Sequence, residues 1–186
     1  VLYVGMRTAK TWLTAIAALY ETYMALCKFP DPHTFFRDNG VFIAPGTPIH
    51  ISSCATSAKQ AENTCGVAIW AARDRSPWFQ RYREKCESIG TLPNGKEIYH
   101  EKAGEFTYNH KNLTISSLHS NSSGMVGVSR LMAICDEVAK MDESGGIRDA
   151  NMIYNNMTVG TEPFQNFGKR VSLSSPSHLT DMINIL

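Results

Sequence analysis

The sequence predicts an α/β fold with a mainly parallel central sheet flanked by helices, and three observations carry that prediction. Short apolar runs of strand length alternate along the chain with longer stretches of helical period. One run, Leu131-Met132-Ala133-Ile134-Cys135, is apolar without alternation, as expected of a strand buried on both faces of a parallel sheet. Two expected strands end in polar residues, Asp136-Glu137 and Ser174-Ser175-Pro176, at the carboxyl edge where open α/β sheets bind ligands.

The length of 186 residues suits one domain spanning residues 1–186. Hydrophobic residues make up 43% and charged residues 19%, and no apolar run approaches the ~20 residues of a membrane span. A net charge of +1 gives no overall electrostatic footprint for nucleic acid, which leaves only a local basic face for such a role. The five cysteines are odd in number and lack paired Cys-x-x-Cys spacing, so they read as buried, reduced thiols and not as zinc ligands or disulfides. The chain opens at Val1 inside an expected strand and closes at Leu186 inside an expected helix, so it reads as part of a longer one.

The first strand, Val1 to Val4, feeds the turn Gly5-Met6-Arg7-Thr8-Ala9-Lys10-Thr11 and then a helix. In a strand–loop–helix phosphate cradle, backbone N–H groups surround the β-phosphate, a Lys reaches the β/γ-phosphates and the next hydroxyl binds Mg²⁺. Lys10 and Thr11 stand where those roles need them, although Ala9 and Val4 occupy the two positions where the pattern wants Gly. The competing reading is an ordinary strand-to-helix connection. Trp12, Leu13, Ile16, Leu19, Tyr20, Tyr23, Met24 and Cys27 then recur at helical spacing and predict a sheet-covering helix. Pro30, Pro32 and Asp38-Asn39-Gly40 end it and open a connector of about 20 residues.

Pro48 to Ala55 predicts a second strand, followed by a turn at Thr56-Ser57 and a helix through Ala61, Val67, Ala68, Ile69 and Trp70. Ser76-Pro77 opens another helix, with Ser76 as N-cap and Pro77 in its first turn. Arg81, Arg83 and Lys85 on that helix read first as a solvated face balanced by Glu84 and Glu87, and second as phosphate contacts. Two short strands are expected around Ile98-Tyr99 and Phe106-Tyr108, and from Leu113 to Leu118 the alternation of Leu113, Ile115 and Ser117 predicts another.

After the unbroken apolar strand, Asp136 and Glu137 suit two jobs: one carboxylate for the Mg²⁺ shell, the other to orient or deprotonate water. The competing reading is an acid pair beginning a helix. A helix around Ile147 to Met157 follows, then a strand from Lys169 whose Ser174-Ser175-Pro176 ending suits either contact with a γ-phosphate or a simple turn and N-cap.

In that order the elements resemble the ATPase domain of a tailed-bacteriophage large terminase subunit, the motor that packages DNA into capsids. The resemblance spans nearly the whole chain. It rests on the Gly5–Thr11 loop, similar to a Walker A loop; on Ser57-Ala58-Lys59-Gln60-Ala61 and Arg73-Asp74-Arg75-Ser76-Pro77-Trp78-Phe79; on Asp136-Glu137 as a Walker B ending; and on Ser174-Ser175-Pro176 as a coupling motif. It implies a P-loop NTPase of the ASCE, RecA-like type that uses ATP and Mg²⁺. Catalysis would fall to Glu137, Lys10 and Arg7, nucleotide binding to Gly5, Met6, Arg7, Thr8, Ala9, Lys10 and Thr11, the metal to Thr11 and Asp136, and coupling to Ser174, Ser175 and Pro176. Arg73, Arg75 and Arg130 are unranked candidates for the arginine that neutralises transition-state charge. The implied setting is the host cell cytoplasm, on the procapsid, in a homo-oligomeric ring with double-stranded DNA, the portal protein and the small terminase subunit, and no membrane. An N-terminal adenine-contacting segment and a C-terminal nuclease domain would lie outside this sequence. Two other classes remain open: a helicase-type nucleic-acid ATPase, and a nucleotide-free module for assembly or DNA docking.

Overall fold

The computed structural model describes residues 9–27, 31–55, 65–119, 127–136 and 150–173. In chain order these form helices α1 (Lys10–Cys27) and α2 (Pro32–Asp38), strand β1 (Ile49–Ala55), helices α3 (Cys65–Arg75) and α4 (Pro77–Ile89), and strands β2 (Tyr99–Lys102), β3 (Glu105–Tyr108), β4 (Leu113–His119) and β5 (Arg130–Asp136). Helix α5 (Ala150–Val159), a 3₁₀ segment at Glu162–Phe167 and strand β6 (Lys169–Leu173) complete them. The strands make one six-stranded sheet in the order β2-β3-β4-β1-β5-β6. The β4–β1, β1–β5 and β5–β6 pairs are parallel, and the β2–β3 hairpin joins β4 antiparallel, so the expected mainly parallel α/β sheet is borne out.

The sheet's two faces are covered unequally. Ile49, Ile51, Leu113, Ile115, Met132 and Ile134 share one core with α1, α3 and α4, while Cys54, Ala133 and Cys135 pack with Ile153 and Met157 of α5 on the other side. Strand β5 is buried at every position, as its unbroken apolar run predicts. In strand β4, an interior strand of the sheet, the polar Thr114 and Ser116 are buried along with Leu113 and Ile115. Its polar positions are satisfied across the ladder, Ser116 by the Ser52 hydroxyl at 3.0 Å and Thr114 by Thr107 at 3.2 Å.

Helix α1 is present as predicted, but most of its expected apolar stripe faces outward. Thr14, Ala15, Ala18, Leu19, Thr22, Ala25 and Leu26 face inward, while Trp12, Leu13, Ile16, Tyr20 and Tyr23 are exposed. Small side chains let α1 lie close against α3 and the sheet, and the Thr22 hydroxyl is absorbed by the Ala18 carbonyl at 2.8 Å.

The connector after α1 contains α2, nucleated by Asp31, whose carboxylate accepts from the His33 and Thr34 N–H groups at 3.2 and 3.3 Å, with Pro32 at the first position. Ser76 holds the N-cap position of α4, yet its side chain makes no capping bond; its carbonyl accepts from Gln80 N–H at 3.1 Å. Arg73 clamps the hairpin to the end of α3: its guanidinium donates to Asp74, the Tyr99 hydroxyl and Glu101, each at 2.9 Å, and lies 4.7 Å over the Phe106 ring. The five cysteines are free, four of them buried.

Candidate functional site

Two groups of the expected site lie within the described residues, and elementary geometry sets them toward one edge of the sheet. Parallel strands β5 and β6 start at Arg130 and Lys169, so Leu131 and Lys169 mark the amino edge of the sheet and Asp136 the carboxyl edge. Tyr20, Glu21, Met24 and Ala25 of α1 line a cavity with Leu131 and Lys169, which places the later turns of α1 at the amino edge. Helix α1 therefore runs back along the sheet. From Met24 to Lys10 it rises about 20 Å at 1.5 Å per residue, and from Leu131 to Asp136 the strand advances about 17 Å at 3.3 Å per residue. Lys10 and Thr11 end level with Asp136.

They also share a face. Met132 and Ile134 pack into the core that contains α1, and Ala133 and Cys135 into the core that contains α5. Period-two alternation puts Asp136 on the α1 side. The first residue of α3 agrees with that side: burial, with the nearby Asp136 carboxylate adding to it, pushes the Cys65 thiol up to about 12. Asp136 is buried at 6% exposure as the last residue of β5, so the helix-start reading of the acid is overturned.

Ala9 immediately precedes this first turn and has φ of +28°, in the region where a Cβ is strained. Its carbonyl accepts from Leu13 N–H at 2.9 Å and so starts the helix. A left-handed residue just ahead of Lys-Thr is what the glycine position of a phosphate loop requires, and here an alanine supplies it.

Gly5, Met6, Arg7 and Thr8, Glu137, and Ser174, Ser175 and Pro176 lie outside the described residues, as does Ser57 to Ala61. The last described residues before the acid and the hydroxyls, Asp136 and Leu173, are register partners on adjacent parallel strands. Thr11 and Asp136 offer a hydroxyl and a carboxylate at one edge and face, hard oxygen donors that fit Mg²⁺, which takes one or two protein oxygens and completes its shell from phosphate and water. Among the described residues no cluster of three or more His, Cys, Asp or Glu side chains could hold a metal, so a caged transition-metal centre has no support there.

The three candidate arginines separate. Arg130 is the first residue of β5, at the far end of the strand from Asp136, fully buried, with its Nη1 on the Asn156 carbonyl at 3.3 Å. Gly160 lets that corner close, since a Cβ there would stand 2.5 Å from the Val128 carbonyl oxygen. Arg73 is buried in its clamp with Asp74 and Glu101. Arg75 alone is exposed, with its guanidinium 5.5 Å over the Trp12 ring, next in sequence to Thr11. Sequence reading missed Cys65, because its place beside Asp136 arises from how α3 packs and leaves no local pattern. Arg83 pairs with Glu87 at 3.7 Å and with Asp74 at 3.9 Å, in keeping with a solvated helix face.

The model of the family described as "Uncharacterized protein MJ0330, N-terminal P-loop domain" matches residues 1–186, the whole chain. No curated protein matches. Among solved structures, the crystal structure of the HK97 bacteriophage large terminase superposes with a TM-score of 0.59 at 17% identity over 99% of this chain and 30% of the terminase. The chain thus spans less than a third of that protein's length, and the likeness is one of fold.

Proposed function

The chain belongs to the MJ0330 N-terminal P-loop domain family, and from that premise we propose that it is a Mg-ATP-hydrolysing motor domain that drives double-stranded viral DNA into a procapsid. A nucleotide-binding P-loop domain follows from the family itself. What supports the reading further is that buried Asp136 ends β5 at the carboxyl edge and that Lys10 and Thr11 open α1 just after the left-handed Ala9, toward the same edge and face of the sheet. The fold shared with a phage large terminase supports the packaging role.

Each residue has a stated task. The Lys10 ammonium binds the β/γ-phosphates, with Arg7 adding positive charge beside it, and the backbone from Gly5 to Ala9 cradles phosphate through its N–H groups. Thr11 and Asp136 hold Mg²⁺, which neutralises charge developing on the phosphate oxygens. Glu137 orients the attacking water and takes its proton. Ser174 and Ser175 read the state of the γ-phosphate, and Pro176 stiffens the exit toward the moving segment. Arg75 is the arginine of this chain left exposed beside the first turn of α1, and a neighbouring copy in a ring is the other source of that charge. DNA, the portal protein and the small terminase subunit would be the partners in the host cytoplasm. No described helix is long and apolar enough to cross a membrane.

Thermal unfolding with and without Mg-ATP tests the reading. A nucleotide at a hundred times its Kd stabilises the fold by about 2.7 kcal/mol. Lys10→Ala is expected to remove that protection, and Glu137→Gln to keep it while stopping phosphate release. An unchanged midpoint in saturating Mg-ATP would overturn the proposal and leave the nucleotide-free assembly module standing.

A further inference from the structure

The three tryptophans of the chain are housed differently. Trp70 packs edge-on against Phe106 at 5.0 Å and Trp78 stacks on Tyr82 at 4.9 Å, both half-buried against the main core. Trp12 is 39% exposed and directly follows Thr11 in the first turn of α1. Helical side chains lean toward the helix N-terminus, which sets this indole beside the turn from Ala9 to Thr11 where the expected phosphate contacts lie. One face of the ring is engaged: the Arg75 guanidinium lies 5.5 Å over it. That cation is offered from a fixed support. Buried Arg73 pairs with Asp74 at 2.7 Å and Glu101 at 2.9 Å, Ser76 donates its N–H to the Arg73 carbonyl at 3.0 Å, and the Gln80 side chain donates to the Asp74 carbonyl, so the end of α3 is tied on both sides of Arg75.

We propose, resting on the phosphate-loop reading above, that Trp12 is the platform on which the base of a bound purine nucleoside triphosphate stacks, with Arg75 backing the opposite face of the indole. Lys10, Thr11 and Asp136 address phosphates and metal, which every nucleoside triphosphate presents alike. The base needs a flat, polarisable surface within one nucleotide's length of them, and the indole next in sequence to Thr11 is that surface. A purine's two fused rings match the indole's two in shape and area. The cation holds the indole from one side while the base covers the other, so stacking and the cation–π contact act on opposite faces of one ring and do not compete. An exposed tryptophan beside the loop is thereby put to use.

Calorimetric titration of the full chain with Mg-ATP and with Mg-tripolyphosphate tests the platform, because both ligands bring the phosphates and only one brings a base. Trp12→Ala is expected to weaken Mg-ATP binding by about 5- to 150-fold, the contribution of one base stacked on one aromatic ring, and to leave Mg-tripolyphosphate within about twofold of the parent. Trp12→Phe, which keeps a ring face, is expected to recover most of that loss. Melting without ligand reports separately on the fold, and an exposed position is expected to leave its midpoint near that of the parent. A Trp12→Ala chain that binds Mg-ATP as the parent does, or that loses both ligands alike, would overturn the platform and leave the phosphate loop standing. A parent chain that binds neither ligand would overturn both readings together.

Discussion

Ala9 is the residue on which the nucleotide reading turns. An L residue with a Cβ at φ of +28° gives up about 1–2 kcal/mol relative to ordinary helical backbone, and glycine avoids that at an entropic cost of about 0.5–1 kcal/mol. Ala9→Gly is therefore expected to raise the urea unfolding free energy by about 0.5–1 kcal/mol and to tighten Mg-ATP binding, while Ala9→Val, with a branched Cβ, should lower both. Stability that falls in Ala9→Gly would show that the left-handed turn is absent. His50, on β1, makes a second residue-scale case. Burial, with Arg130 beside it, lowers its pKa from 6.5 to about 4, against a smaller opposite pull from Glu105. The unfolded chain takes up that proton first as pH falls, so the native state is penalised progressively between pH 6.5 and about 4 and unaffected above. The expected loss is on the order of 3 kcal/mol across that window, measured by denaturant titration, and His50→Gln should flatten it.

At the level of elements, helix α1 shows where a sequence misleads. Its large apolar residues trace a stripe of helical period, and such a stripe ordinarily marks the buried side. Here the buried side is built largely from Ala15, Ala18, Ala25, Thr14 and Thr22, with Leu19 and Leu26 as its large groups. Existence and ends of the helix were legible; its orientation depended on neighbours that no local period encodes. The same holds for β4, whose Thr114 and Ser116 are buried although the local alternation does not mark them. By contrast β5 was readable outright, since an apolar run without alternation is compatible only with burial on both faces. The inverted helix has a direct consequence. Ala18→Leu, at a position with no exposure, is expected to destabilise the fold by about 1–3 kcal/mol through overpacking, and Ile16→Ser, at a position 57% exposed, by less than about 0.5 kcal/mol. Equal effects, read from chemical denaturation midpoints, would contradict the buried face.

For the whole molecule, the sheet separates two chemistries by the length of its strands. Asp136 ends β5 at the carboxyl edge, toward which Lys10 and Thr11 open α1, and these residues were picked out in advance because phosphate loops and strand-end acids carry local patterns. Glu21 and Lys169 line the cavity at the amino edge and carried no such signal, being drawn together from a helix and a strand start. Between them β5 advances about 17 Å, beyond the ~7–10 Å within which mutational effects couple, and none of the described contacts at one edge reaches the other. The two sites are therefore expected to act independently. Lys169→Ala, at the cavity, should keep the full Mg-ATP protection of the parent chain, Lys10→Ala should keep its stability without nucleotide, and the double variant should show both effects added within about 0.5 kcal/mol. Coupling above that size in a double-mutant cycle, read from melting with and without Mg-ATP, would mean that α1, which touches both edges, moves as a lever between them.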